Sequence, residues 1–160
     1  MTMLYPHVCL FIGNRTSSPD VYPAVVEAVG KLIREGVTEF WSGGYGAFDR
    51  MGERAVLEWK QRGAAVKLVL ALAYPPKPQS DPDAKQYYAR YDELFQPDLG
   101  STPARFAIAK RNTLLARQAG HVICHVPFTF GGAAKTLETA QKSGAIIHEV
   151  NTGEPLRHLR

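Results

Sequence analysis

Apolar runs alternate with segments of helical period along this chain, and each run breaks into a polar or glycine-bearing loop. Residues 7–12 (His-Val-Cys-Leu-Phe-Ile) end at Gly13, the pattern of a strand buried on both faces. Ser17-Ser18-Pro19-Asp20 supplies helix-start chemistry, and Tyr22, Val25, Val26, Val29, Leu32 and Ile33 recur at helical spacing until Gly36. A second strand over 37–41 leads into Ser42-Gly43-Gly44-Tyr45-Gly46. The helix after it carries Phe48, Met51, Ala55 and Trp59 on one stripe. A third strand follows at 66–72. This β-α-β-α-β order predicts a parallel sheet with right-handed crossovers.

Residues 73–102 interrupt the rhythm, because Tyr74-Pro75-Pro76-Lys77-Pro78 and Ser80-Asp81-Pro82-Asp83 sustain neither a long helix nor a central strand. This stretch reads as one long, lid-like insertion loop with a short helix around 86–95. A helix from Ser101-Thr102-Pro103 to about residue 118, a strand over 121–126, a helix opened by Gly131-Gly132 and a fifth strand over 145–150 complete the pattern. The expected fold is a single α/β domain over residues 1–160. It is Rossmann-like, a three-layer αβα sandwich on a five-stranded parallel sheet, with residues 151–160 as a solvated tail.

A length of 160 residues suffices for one core, and 45% hydrophobic with 21% charged residues excludes a disordered chain. The net charge of +4 is mild and, with no basic-aromatic stripe in the sequence, makes nucleic acid an unexpected partner. No run is long enough to span a bilayer, no signal-peptide pattern opens the chain, and Cys9 and Cys124 fall in strands. A cytoplasmic protein without a membrane partner is therefore expected. Cys124 and His125 are adjacent on one strand and point to opposite faces, so no metal site is expected.

Loops that follow parallel strands share one edge of the sheet, where ligands bind. Three converge here: Gly13-Asn14-Arg15, the 42–48 loop with Gly43, Gly44 and Tyr45, and the 128–132 loop with Gly131, Gly132 and Ala133 behind it. Glycine admits close backbone approach and helix starts favour anions, so these turns predict a pocket for a phosphate- or carboxylate-bearing ligand. Arg15 would neutralise that ligand, Asp49 would accept from ribose hydroxyls, and Tyr45 would stack on a base. Arg111 either covers apolar surface with its stem or grips a phosphate, with Asn112 beside it. Glu138, one turn into its helix, either complements the helix dipole or acts as a general acid or base. Gly131-Gly132-Ala133-Ala134-Lys135-Thr136 lacks the glycine a P-loop places before its lysine. The 44–49 stretch lacks the third glycine of a dinucleotide motif, so no cofactor is expected.

Gly13-Asn14-Arg15, the run from Gly43 to Asp49, the run from Arg105 to Asn112 and Gly131-Gly132-Ala133-Ala134 occur in this order. Together they resemble the SLOG superfamily, particularly its stand-alone YpsA-like (DUF1273/DUF2493) members. That superfamily also holds the DNA-processing Smf/DprA proteins and the LOG phosphoribohydrolases. The resemblance implies a nucleotide or nucleotide-derived ligand, and a sensor role for it. Against the LOG pattern Pro-Gly-Gly-x-Gly-Thr-x-x-Glu, the chain keeps Gly131, Gly132 and Glu138 but carries Phe130, Ala134 and Lys135 at the other positions, with Arg111 as the upstream arginine. Three functions stay open: ligand binding, hydrolysis of nucleoside-monophosphate N-glycosidic bonds by Glu138 and Arg111, and single-stranded DNA binding of the Smf/DprA kind. A homodimer paired through helices is compatible with the architecture.

Overall fold

The computed structural model describes residues 3–151, so the expected solvated tail lies, apart from Asn151, outside the described residues. Six parallel strands form one sheet: β1 (Tyr5–Gly13), β2 (Glu39–Ser42), β3 (Lys67–Ala71), β4 (Glu93–Phe95), β5 (Ala119–His125) and β6 (Ile146–Glu149). Their order is β4-β3-β2-β1-β5-β6, with β1 central. The helices are α1 (Tyr22–Arg34), α2 (Ala47–Gln61), α3 (Pro82–Tyr88), α4 (Ala107–Ala116) and α5 (Gly132–Ser143).

The strands read as continuous apolar runs because both faces are covered. Cys9 and Phe11 of β1 pack with Val25 and Val29 of α1 and with Phe48 and Ala55 of α2. The alternate residues Val8, Leu10 and Ile12 pack on Leu115 of α4 and on Leu137 and Ala140 of α5. This two-residue alternation divides the core into two layers and gives the expected αβα sandwich.

One expectation needs correction. The sheet has six strands, not five, because residues 73–102 are not one long loop. Asp81 caps α3 by accepting from the Asp83 N–H at 3.0 Å. Beyond α3, β4 pairs with β3 through Val69–Glu93 and Leu70–Leu94. The prolines fall before and within the first turn of α3, where a missing N–H costs nothing, so they permit structure that composition argued against. The segment is anchored by Glu53, which is 2% exposed. Its Oε2 accepts from the Ser42 hydroxyl at 2.6 Å and from the Tyr91 hydroxyl at 2.7 Å. The helix before β5 also begins later than its sequence suggests: a 3-10 turn over Ala104–Phe106 precedes α4.

The first two loops of the sheet edge are stitched together. The Ala47 N–H at the start of α2 donates to the Arg15 carbonyl at 2.9 Å. Gly46, the residue before it, sits at φ 94° and ψ 173°, a region essentially reserved for glycine. A Cβ there would meet Arg15 Cα at 2.8 Å. Gly46→Ala is therefore expected to destabilise the fold by about 1–3 kcal/mol or more. A thermal melt within a degree of the native protein would contradict this account of the loop.

Candidate functional site at the carboxyl edge of the sheet

β1 lies where the strand order reverses: β2, β3 and β4 lie on one side of it, β5 and β6 on the other. The chain therefore leaves β1 toward the α1 face and leaves β5 toward the α5 face. The two loops diverge and open a crevice between them, the position at which ligands bind in open parallel sheets. A cavity of about 390 Å³ occupies this crevice. That is large enough for a small organic ligand. Its floor is apolar, made by Leu10, Ile12, Ile108 and Leu115, and its mouth is polar.

Most of the residues expected from sequence meet here. Gly13, Asn14 and Arg15 come from the first loop, Gly43, Tyr45 and Asp49 from the second, Arg111 and Asn112 from α4, and Gly132 and Ala133 from α5. Three do not line the cavity. Gly44 faces away, its missing Cβ position lying 2.7 Å from a Leu70 methyl and 3.0 Å from the Tyr87 hydroxyl. Gly131 caps α5 at φ 98° with open space around it.

Glu138 requires a correction: it points to solvent and pairs with Lys142 at 2.7 Å, one turn further along α5. That pairing holds its carboxyl below the usual range, the opposite of what a general acid needs. The stripe of α5 that does face the cavity is Gly132, Lys135, Thr136 and Thr139. The sequence carried that signal in the three- and four-residue steps from Gly132. No residue from 73 to 102 lines the cavity.

Arg111 is 5% exposed and acts mainly as a brace. Its Nη1 donates to the Gly43 and Ala71 carbonyls, both at 3.1 Å, tying together the carboxyl ends of β2 and β3. Nε and Nη2 donate to the Asn112 Oδ1 at 3.2 and 3.0 Å. Burial works against its charge, and nearby Asp49 supports it. Asp49 is half-buried and accepts the Tyr45 N–H at 3.1 Å. Burial first, then the Glu53 carboxylate one turn on, pushes Asp49 up to about 7, against the pull of the Tyr45 N–H and Arg111.

Exposed aromatics occur in the cavity lining and in the segments that lead into it. Tyr45 is 51% exposed, and the Arg15 guanidinium lies 4.4 Å from its ring centroid. Phe128 and Phe130, in the loop leading to Gly132, are 52% and 74% exposed, with centroids 5.5 Å apart. Phe106, ahead of α4, is likewise exposed and carries Arg105 over its ring at 4.8 Å. These residues are scattered in the sequence, so no stripe was visible there.

No protein-family model matches the sequence, nor does any curated protein sequence. Among solved structures, the chain is similar to DNA processing protein A (DprA) from Streptococcus pneumoniae. The TM-score is 0.66 at 20% identity, covering 91% of this chain and 50% of that one. It is also similar to DprA from Helicobacter pylori, described as having a unique single-stranded DNA binding mode, with a TM-score of 0.62 at 18% identity over 90% of this chain and 65% of that one. The chain has the DprA-type Rossmann fold. It spans half to about two thirds of those proteins. The likeness extends to the Rossmann-like fold and gives no support to the narrower YpsA-like or LOG-like assignment. It also overturns the expectation that set nucleic acid aside, since the neighbours are DNA-processing proteins and one is described as binding a single strand. Net charge averages over a whole surface and says nothing of how the charges are distributed on it.

Asp49 gives a test of the site's electrostatics. A carboxyl raised from 3.8 to about 7 makes the folded state hold a proton that the unfolded chain has lost, so stability falls as pH rises through that window. Asp49→Asn, which mimics the protonated form, is expected to raise the melting temperature at roughly pH 8, and the gain should shrink toward roughly pH 5. A difference independent of pH would show that Asp49 is not perturbed.

Proposed function

We propose that this protein binds single-stranded DNA along the carboxyl edge of its sheet, taking one nucleotide into the cavity at the strand-order reversal. The observation that carries this reading is the cavity lining itself, where the Tyr45 ring under the Arg15 guanidinium and Lys135 on α5 stand beside apolar Leu10, Ile12 and Ile108. The exposed Phe128–Phe130 pair precedes Gly132, and exposed Phe106 precedes α4, in the segments that lead into that lining. Aromatic faces stack on bases of any sequence, and guanidinium and ammonium groups track the phosphates. The mild net charge of the chain is no obstacle when the cations gather at one rim. The DNA-binding description of the Helicobacter pylori neighbour, which shares the fold, adds support.

A free nucleotide or nucleotide-derived ligand is the second reading, favoured by the depth of the cavity and its apolar floor. The glycosidase reading loses its carboxylate, because Glu138 faces solvent and Asp49 is the only acidic residue among those lining the cavity.

Fluorescence anisotropy with a labelled short oligothymidylate separates these readings. Strand binding predicts an affinity that falls linearly with salt on a log–log plot, and Arg15→Ala and Lys135→Ala each flatten that slope by about 0.7 if each cation meets one phosphate. Binding of mononucleotides with no response to the oligonucleotide would favour the free ligand and reject the strand.

A further inference from the structure

Lacking a side chain, Gly43 lets two charged groups approach its backbone closely without closing on each other. A Cβ there would lie 2.8 Å from Arg111 Nη2 and 3.3 Å from Asp49 Oδ2, and among the described residues no ion pair joins Arg111 to Asp49. A guanidinium carries five N–H donors. Four of those on Arg111 are engaged by the Gly43, Ala71 and Asn112 oxygens, which leaves one hydrogen on Nη2. On Asp49, the carboxylate accepts the Tyr45 N–H at Oδ2 and is also supported by the Gly43 amide; two such bonds leave part of a carboxylate's four acceptor positions open. The cradle therefore presents one donor beside a carboxylate with spare acceptor capacity, above an apolar floor suited to the faces of a planar ring.

We infer that this cradle reads the Watson–Crick edge of guanine, which makes guanine the base the cavity selects from a single strand; this rests on the strand-binding reading above. Guanine alone among the DNA bases presents an acceptor followed by two adjacent donors, O6, N1–H and N2–H. The acceptor meets the Arg111 Nη2 hydrogen, and the two donors meet the Asp49 carboxylate. Thymine offers O4 and N3–H but then sets O2 against the carboxylate. Cytosine sets two acceptors against it, and adenine supplies a single exocyclic donor at that edge. Sites built to hydrogen-bond a polar edge reject its isosteres strongly, because the buried partners are left unpaired.

The titration of Asp49 supplies an independent sign. The groups that act on it are Glu53 on its own helix, Arg111 from α4, and the Tyr45 and Gly43 amides from its loop. Glu53 is itself held by the Ser42 and Tyr91 hydroxyls and by Arg90 at 3.7 Å. Because burial raises Asp49 to about 7, a ligand that donates to the carboxylate must displace a proton. Guanine binding then strengthens as pH rises. A phosphate in the same place would be repelled by the ionised carboxylate and would weaken.

The test uses short oligothymidylates carrying a single central dG, dA, dC or dT, so that no guanine quadruplex forms. The dG strand is expected to bind roughly tenfold more tightly than the others. Its preference should grow between roughly pH 6 and pH 8 and disappear in Asp49→Asn. Gly43→Ala, whose Cβ would press on Arg111 Nη2 and displace the donor, should erase the preference as well, and thermal melts report that both variants fold. Equal affinity for the four strands overturns the guanine assignment while leaving strand binding intact. A preference that declines with pH overturns it by placing phosphate at Asp49, and no binding by any strand removes both readings.

Discussion

The site depends on a buried guanidinium that is spent on backbone. Arg111 reaches from α4 across the carboxyl ends of β2 and β3 and satisfies the carbonyls of Gly43, just past β2, and of Ala71, the last residue of β3. Without it those oxygens would be buried and unpaired at the lip of the cavity, a cost of about 1–3 kcal/mol each. The same side chain fixes the position of Asn112 and sets the spacing between α4 and the 43–49 loop. A lysine could not replace it, since one ammonium lacks the planar fork that serves three oxygens. The cavity is thus an opening held by a strut, with the Gly46–Arg15 contact closing the opposite corner.

Around that strut, the parts divide by physical role. The apolar floor comes from residues of the second core layer, Leu10 and Leu115, which are buried for packing reasons whether or not a ligand is present. The polar mouth comes from loops, whose backbones diverge because β1 and β5 send their helices to opposite faces. Phe130 at 74% and Phe128 at 52% exposure, in the loop that leads to Gly132, leave apolar ring faces to water. A planar base stacked on them would cover those faces.

The fold was largely legible because a doubly covered parallel sheet writes itself into sequence as apolar runs, and its turns as glycines. What stayed hidden was β4. Its three residues, Glu93–Phe95, alternate at a sheet edge, and the neighbouring prolines dominate any local reading. The docking of that segment hangs on Glu53, a buried acid on a helix whose surroundings only the tertiary structure assembles. In the site, glycines and loop cations were visible as types, and ten of the thirteen residues singled out do line one cavity. Glu138 was misplaced because offset along a motif does not fix helical phase: its side chain falls on the Lys142 side of α5, and Lys135 takes the inward stripe. The exposed aromatics gave no stripe in the sequence because Tyr45, Phe106 and the Phe128–Phe130 pair lie in three separate segments.

The most direct measurement is photocrosslinking of a single-stranded DNA that carries a halogenated uracil, followed by mass-spectrometric mapping of the attached peptides. The account predicts adducts at Tyr45, which lines the cavity, or at Phe106, Phe128 or Phe130 in the segments that lead into it. Adducts confined to the α1–α2 face or to the β6 edge, with none at those rings, would contradict it.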